Sequence, residues 1–123
     1  MKFYYCKHCK NLELVINDGG PVPVCCGEPM GLLTANTTDA ATEKHVPIIQ
    51  AAEQGINIRV GEVDHPMTTE HYIQWIAVTD GKNVEIKHLD PTDQPTISSH
   101  FKITDKFSVY AYCNLHGLWM SEN

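Results

Sequence analysis

The 123-residue chain has no run approaching the roughly 18 apolar residues of a membrane helix, so no segment is expected to cross a bilayer. Positive charge is scarce as well. Nine Lys and Arg against fifteen Asp and Glu give a formal charge of −6, which disfavours a nonspecific nucleic-acid binder or a binder of anionic membranes. The same excess is expected to repel small anions. The opening Met1-Lys2-Phe3-Tyr4-Tyr5-Cys6 lacks the apolar core of a signal peptide, and the expected location is the cytoplasm. Internal repeats and low-complexity segments are also missing. A disulfide framework does not fit either, because the five Cys are odd in number and four of them fall within residues 6–26.

What is present is ordinary for a folded protein, with 42% hydrophobic and 20% charged residues. The length predicts one principal domain, or one with a small appendage. Five Cys and seven His stand out, and in a reducing compartment such a combination points first to metal.

Residues 1–34 differ in kind from the rest. They hold four Cys, four Gly and three of the Pro, and a segment this short needs a staple such as a metal to fold. Leu12 to Ile16 reads as a strand, Asn17 to Gly20 as a turn and Val22 to Val24 as a returning strand. Such a hairpin would bring Cys6 and Cys9 near Cys25 and Cys26. Residues 34–42 are small and polar and read as a linker. Beyond them the period is mostly two. Ile56, Ile58 and Val60 alternate with polar residues, and Tyr72 to Val78 suits a buried strand. Asp80 to Asn83 turns the chain into Val84, Ile86 and His88. Ile97, Ser99, Phe101 and Ile103 are expected on one face of a strand, and Phe107, Val109, Ala111 and Cys113 on one face of the last. Pro47 to Gln54 is expected to form a helical turn or two. The spacing of short strands predicts an antiparallel sandwich of Greek-key or immunoglobulin-like type.

Cys6-x-x-Cys9 puts two thiolates on one tight turn, and Cys25 and Cys26 are adjacent. Neighbouring Cα atoms lie about 3.8 Å apart, too close for a relaxed disulfide, yet their sulfurs can share one ion. A tetrahedral four-thiolate site takes zinc or a single iron, and the spacing alone leaves a structural zinc knuckle and a redox iron equally open. In Cys6-Lys7-His8-Cys9 and Cys25-Cys26-Gly27-Glu28-Pro29-Met30 the segment resembles desulforedoxin, a small rubredoxin-like iron module. Such modules usually carry Gly where Lys10 stands. A non-Gly residue at positive φ costs on the order of 1–2 kcal/mol, so the turn is expected to differ there. His8 reads as an exposed loop residue.

The second constellation is Glu43-Lys44-His45-Val46-Pro47, His65-Pro66-Met67, His71 and Cys113-Asn114-Leu115-His116-Gly117. A single His on an apolar face is usually a satisfied core residue, but several of these sit at loop or strand ends, where a scaffold presents functional groups. Neutral imidazoles with one thiolate suit iron, copper or zinc. Cys113-x-x-His116-x-x-x-Met120 resembles the ligand loop of blue-copper electron carriers, with His45 upstream, yet this leaves His65 and His71 unused. A non-catalytic zinc-binding module is a further alternative. The fuller match covers nearly the whole chain. Its Glu-Lys-His-x-Pro, His-Pro-Met, downstream His and Cys-Asn-x-His-Gly motifs, following the Cys-rich module, resemble the two-iron desulfoferrodoxin type of superoxide reductase.

That resemblance implies a mainly β chain, with a desulforedoxin-like module over 1–35 and an immunoglobulin-like β-sandwich over 36–123. It implies two iron ions per chain, one held by Cys6, Cys9, Cys25 and Cys26, the other by His45, His65, His71 and His116 with Cys113 as axial thiolate. The implied activity is one-electron reduction of superoxide to hydrogen peroxide. Lys44 is implied to attract the substrate and help organise protonating water, and Glu43 to occupy the vacant iron position after oxidation. A rubredoxin-like electron donor and a homodimer are implied as partners. His88 and His100 match no ligand motif; Trp75 and Trp119 read as core or site-wall residues, and Tyr110 and Tyr112 as facing away from Cys113.

Overall fold

A computed structural model describes residues 1–123, which divide into two compact units, Met1–Thr34 and Ala35–Asn123. In the first, β1 (Phe3–Tyr5) lies between β2 (Leu12–Leu14) and β5 (Gly31–Leu32), both antiparallel to it, while β3 (Val24–Cys25) pairs only with β4 (Glu28–Pro29). The expected hairpin between Leu12–Ile16 and Val22–Val24 is therefore not formed. Its would-be return strand is committed to a tighter turn, because Cys25 pairs with Glu28 across the two-residue loop Cys26-Gly27. Those two residues take φ of 53° and 75°, the left-handed pair that suits a type I′ hairpin. Tyr4, Cys6 and Met30 make the small core, with Val15 and Cys25 against it.

The second unit opens with one helical turn, α1 (Thr42–His45), and then runs through seven strands: β6 (Pro47–Ala52), β7 (Gly55–Val60), β8 (Ile73–Thr79), β9 (Val84–His88), β10 (Thr96–Ser99), β11 (Ser108–Cys113) and β12 (Gly117–Glu122). They form two antiparallel sheets, ordered β10-β7-β6 and β12-β11-β8-β9. In immunoglobulin lettering these are E-B-A and G-F-C-C′, the arrangement expected of the fold class. No helix is long and apolar enough to cross a membrane.

Pro47–Ala52 is a strand, not the expected helix. Val46, before a proline, is extended at φ −71°, ψ 124°, as pre-proline residues prefer. From there Ile48, Ile49 and their neighbours pair residue for residue with β7. The strand beginning at Ile97 also ends earlier than expected. Ser99 is its last residue, Phe101 is buried beyond it, and Ile103 is exposed in the following turn. Residues 34–42 are not merely a tether, because Asn36 pairs its amide with both backbone groups of Met120, at 3.0 and 2.9 Å, and so occupies part of the β12 edge.

The sandwich core takes Ile56, Ile58 and Val60 from β7, Ile73, Ile76 and Val78 from β8, and Val109, Ala111 and Cys113 from β11. Between Tyr112 and Cys113 the β8–β11 ladder slips. Tyr112 lies opposite Trp75 and Cys113 opposite Ile73, so Gln74 is an extra residue on β8. Such bulges commonly re-aim side chains beside functional sites, and this one lies at Cys113.

Candidate metal centres

In the first unit, Cys6, Cys9, Cys25 and Cys26 bring their sulfurs within 4.8 Å of one another, and none forms a disulfide. The Cys6-x-x-Cys9 turn is closed by the Lys10 N–H donating to the Cys6 carbonyl at 2.9 Å. Lys10 adopts φ 70°, so the turn keeps the backbone that Gly usually supplies, and the expected local departure does not occur. The backbone N–H of Cys9 lowers the Cys6 thiol to about 6. Cys25, hydrogen-bonded to the Cys9 sulfur at 3.6 Å, is pushed up to about 12. Cys6 is thus readied to ionise while Cys25 holds its proton, which a metal ion bound there would displace. His8 stays outside the cluster, 3.1 Å from Glu28.

In the second unit the donors come from α1 (His45), the single β7–β8 loop (His65 and His71), the end of β11 (Cys113) and the β11–β12 turn (His116). His45 and His65 are buried, as is Cys113. The Nδ1 of His45 meets the Ala41 carbonyl at 2.7 Å, and that of His65 meets the Pro66 carbonyl at 2.7 Å. A carbonyl can only accept, so both protons sit on Nδ1 and each Nε2 is left with a lone pair. Those two Nε2 atoms face each other at 3.1 Å, and His116 Nδ1 lies 3.1 Å from the same His45 nitrogen. Burial holds His45, His65 and His71 below the ordinary imidazole range, His65 at about 4. With the rings neutral, no proton remains for the His45 and His65 lone pairs to share.

The rings form a closed pinwheel. Successive centroids from His45 to His65, His71, His116 and back lie 4.6, 4.7, 5.0 and 4.9 Å apart, with planes crossed at 74°, 82°, 84° and 84°. The His45–His71 diagonal is 6.3 Å with planes only 31° apart, slightly short of √2 times the side, as in a gently folded square. The donor atoms of His45, His65, His71 and Cys113 lie within 4.8 Å of one another, and His116 Nδ1 is 3.9 Å from the Cys113 sulfur.

A metal ion fits this arrangement. Two nitrogens at right angles on bonds of about 2.1 Å are about 3.0 Å apart, matching the 3.1 Å separations. His71 Nε2 is buried with no hydrogen-bond partner, the signature of a donor awaiting one. Burial pushes the Cys113 thiol up, and a cation opposite would favour its ionised form. The blue-copper alternative fails on geometry. Trp119 pairs with Ala111 on the Cys113 face of the sheet, whereas Met120 pairs with Tyr110 on the other.

Lys44 and Glu43 lie on the exposed side of α1. After burial and the neighbouring rings, the Lys44 charge further lowers His45, and it also lowers His71, so its positive field reaches the pinwheel. His88 and His100 stay exposed and outside it. Three further features support the site. Trp119 stacks on His45 at 4.7 Å and donates its indole N–H to the His116 carbonyl; Asn114 hydrogen-bonds the segment that carries His71; and Gly61 packs against the α1 backbone.

An immunoglobulin-like sandwich with four imidazoles and one thiol converging at a single point, in a chain that also carries a four-thiol cluster, defines a two-centre non-haem metalloprotein. Residues 37–122 match the desulfoferrodoxin family model. The chain is 46% identical to a desulfoferrodoxin of Syntrophotalea carbinolica over 99% of its own length and 96% of that protein. It is 36% identical to a superoxide reductase of Pyrococcus horikoshii, over 72% of this chain and 93% of the relative. The crystal structure of the superoxide reductase from Treponema pallidum superposes with a TM-score of 0.76 at 30% identity, covering 98% of this chain and 99% of that one. The chain belongs to the desulfoferrodoxin family. Its two donor clusters correspond to that family's two iron sites.

Proposed function

We propose that the chain is a superoxide reductase that takes superoxide to hydrogen peroxide at the site built by His45, His65, His71, His116 and Cys113. The observation that carries this is the pinwheel itself, four imidazoles in a closed ring with one buried thiol beside them. Its support is membership in a family whose relatives include superoxide reductases. Iron bound there supplies one electron to the substrate. Superoxide needs that electron and two protons to become hydrogen peroxide, so the electron must be restored by an external donor, for which we propose a rubredoxin-like protein.

The residues around the site have separate tasks. The Ala41 and Pro66 carbonyls fix two imidazoles with their lone pairs inward. The His116 N–H donates to the Cys113 sulfur at 3.4 Å and stabilises the thiolate. Lys44 draws the anion in and orders water for protonation, and Glu43 would hold iron bound there once it is oxidised. Cys6, Cys9, Cys25 and Cys26, within a module over residues 1–35, hold the accessory iron; residues 36–123 form the reductase domain. A homodimer is supported by the exposed apolar residues of the first unit, Ile16 at 80%, Val24 at 67% and Leu32 at 52%. Five unpaired cysteines suit a cytoplasmic location.

Metal analysis and stoichiometry test the proposal. Protein purified without added metal should hold two irons per chain and form one peroxide per superoxide consumed, with turnover dependent on added reductant. Copper would indicate a carrier and zinc alone a structural module; one peroxide for every two superoxides without reductant would indicate dismutation.

A further inference from the structure

Of the four imidazoles, His71 is the least secured by its own hydrogen bonds. Its Nε2 has no partner, and no carbonyl holds its other nitrogen as Ala41 and Pro66 hold those of His45 and His65. Its backbone is nevertheless clamped on both sides by one residue. Asn114 Oδ1 accepts from the Tyr72 N–H at 3.0 Å, Asn114 Nδ2 donates to the Glu70 carbonyl at 2.9 Å, and the Asn114 N–H donates to the Tyr72 carbonyl at 3.3 Å. Glu70 and Tyr72 flank His71, and Asn114 follows Cys113. The turn behind His71 is closed separately, by Thr68 and His71 exchanging backbone hydrogen bonds at 3.0 and 3.2 Å. The side chain of Asn114 thus measures out the distance between the turn bearing Cys113 and His116 and the loop bearing His71.

We propose that Asn114 is the positioning residue for His71, setting that imidazole into the pinwheel against Cys113. This rests on the reading that the four imidazoles and Cys113 hold one iron. Partners outside the ligand set typically alter metal affinity by about 10–100-fold when removed, and the loss here should be specific to one ligand.

The test uses the full-length iron-loaded protein and a double-mutant cycle. Iron retention against a ferrous chelator is measured for wild type, Asn114→Ala, His71→Ala and both together, with the four-cysteine iron of the same chain as internal reference. The expected result is a roughly 10–100-fold loss in Asn114→Ala, little further loss on adding His71→Ala, and a thiolate-to-iron absorption band shifted toward that of His71→Ala. His65→Ala, whose ring has its own carbonyl, should cost as much in the Asn114→Ala background as in wild type. Asn114→Asp keeps the acceptor for Tyr72 and loses only the donor to Glu70, so it should fall between wild type and Asn114→Ala even if the alanine variant folds poorly. Wild-type retention in Asn114→Asp, or His71 and Asn114 losses that multiply as the His65 ones do, overturns the proposal alone. Wild-type protein holding iron only at the four cysteines overturns the underlying assignment as well.

Discussion

Replacing Gly61 with Ala should displace the backbone that presents His45. Gly61 ends the β7 alternation at φ +87°, and a Cβ there would sit 2.4 Å from the Val63 carbonyl oxygen, 2.7 Å from that of Lys44 and 2.8 Å from that of Glu43. All three are main-chain atoms, which cannot swing aside as the end of a side chain can. Two hydrogen bonds cross the same junction, Gly61 N–H to the Val46 carbonyl at 3.1 Å and Val63 N–H to the Glu43 carbonyl at 3.0 Å. The left-handed backbone costs a non-Gly residue about 1–2 kcal/mol, and relieving the clash by breaking one or both bonds adds about 1 kcal/mol each. The sum is a loss of about 2–4 kcal/mol. At about 4–8 °C per kcal/mol for a domain of this size, the melting temperature should fall by roughly 8–32 °C. Gly81 is the control. It has φ +95° with nothing within 4 Å of its would-be Cβ, so Gly81→Ala bears the backbone strain without the clash. Thermal unfolding of the iron-loaded proteins, followed by circular dichroism, should therefore place Gly61→Ala well below Gly81→Ala, and only Gly61→Ala should also slow superoxide consumption. Equal melting temperatures and unchanged rates would refute the argument that the missing side chain makes room for α1.

Trp119→Phe keeps a ring against His45 but loses the indole bond to the His116 carbonyl at 3.1 Å, so urea unfolding should show a loss of about 1 kcal/mol, against about 3–5 kcal/mol for Trp119→Ala; equal losses would mean that the ring contributes nothing. Acid should weaken the second centre. Because the folded pKa of His65 lies near 4 and those of His45 and His71 are also lowered, only the unfolded chain takes up protons as pH falls from about 6.5. Stability should therefore be insensitive to these groups above that value and decline below it toward pH 4, with iron lost over the same window as protons claim the donor nitrogens. Urea midpoints that stay flat from pH 7 to pH 4.5 would contradict this. Lys44→Ala should slow superoxide association several-fold at low salt and flatten its ionic-strength dependence; an unchanged rate in pulse radiolysis would remove Lys44 from the mechanism.

The sandwich was legible where burial imposes a period. Ile56, Ile58 and Val60 lie on one face of β7, and Val109, Ala111 and Cys113 on one face of β11, because a half-buried strand must alternate. Pro47–Ala52 misled because Ile-Ile-Gln-Ala-Ala has no alternation to distinguish strand from helix; its state is set by pairing with β7, a tertiary fact. The first unit misled at Val22–Val24 because two left-handed residues at Cys26 and Gly27 close a shorter hairpin than apolar pattern suggests. At the second centre, the residues mark a metal-ligand constellation, and the resemblance to the family supplies the five-donor set. Trp119 reads as a core or site-wall residue and Asn114 stands in the Cys-Asn-x-His-Gly motif, but the clamp of Asn114 on the His71 segment and the carbonyls of Ala41 and Pro66 are silent, since a backbone oxygen has no sequence signature and the pairing of a turn Asn is a tertiary fact.

Charge shows how far composition and site can diverge. Residues 1–34 balance three Lys against three acidic residues, so the whole −6 falls on the rest of the chain, six basic against twelve acidic. On that arithmetic the second unit should repel an anion. The donor set changes the local sign: burial lowers His45, His65 and His71 so that they add no charge at neutral pH, and Cys113 would add one negative charge when ionised, so a divalent ion held there would leave one net positive charge. Lys44 adds a positive charge felt at His45 and His71, with Glu43 beside it on α1, while carboxylates farther off than a Debye length of about 8 Å are largely screened. Had the site been built from carboxylates, as many iron and manganese sites are, the same ion would have been neutralised and the acidic envelope would decide the sign. Imidazole donors with a single thiolate thus leave a bound divalent ion with net positive charge, which the same number of carboxylate donors would not.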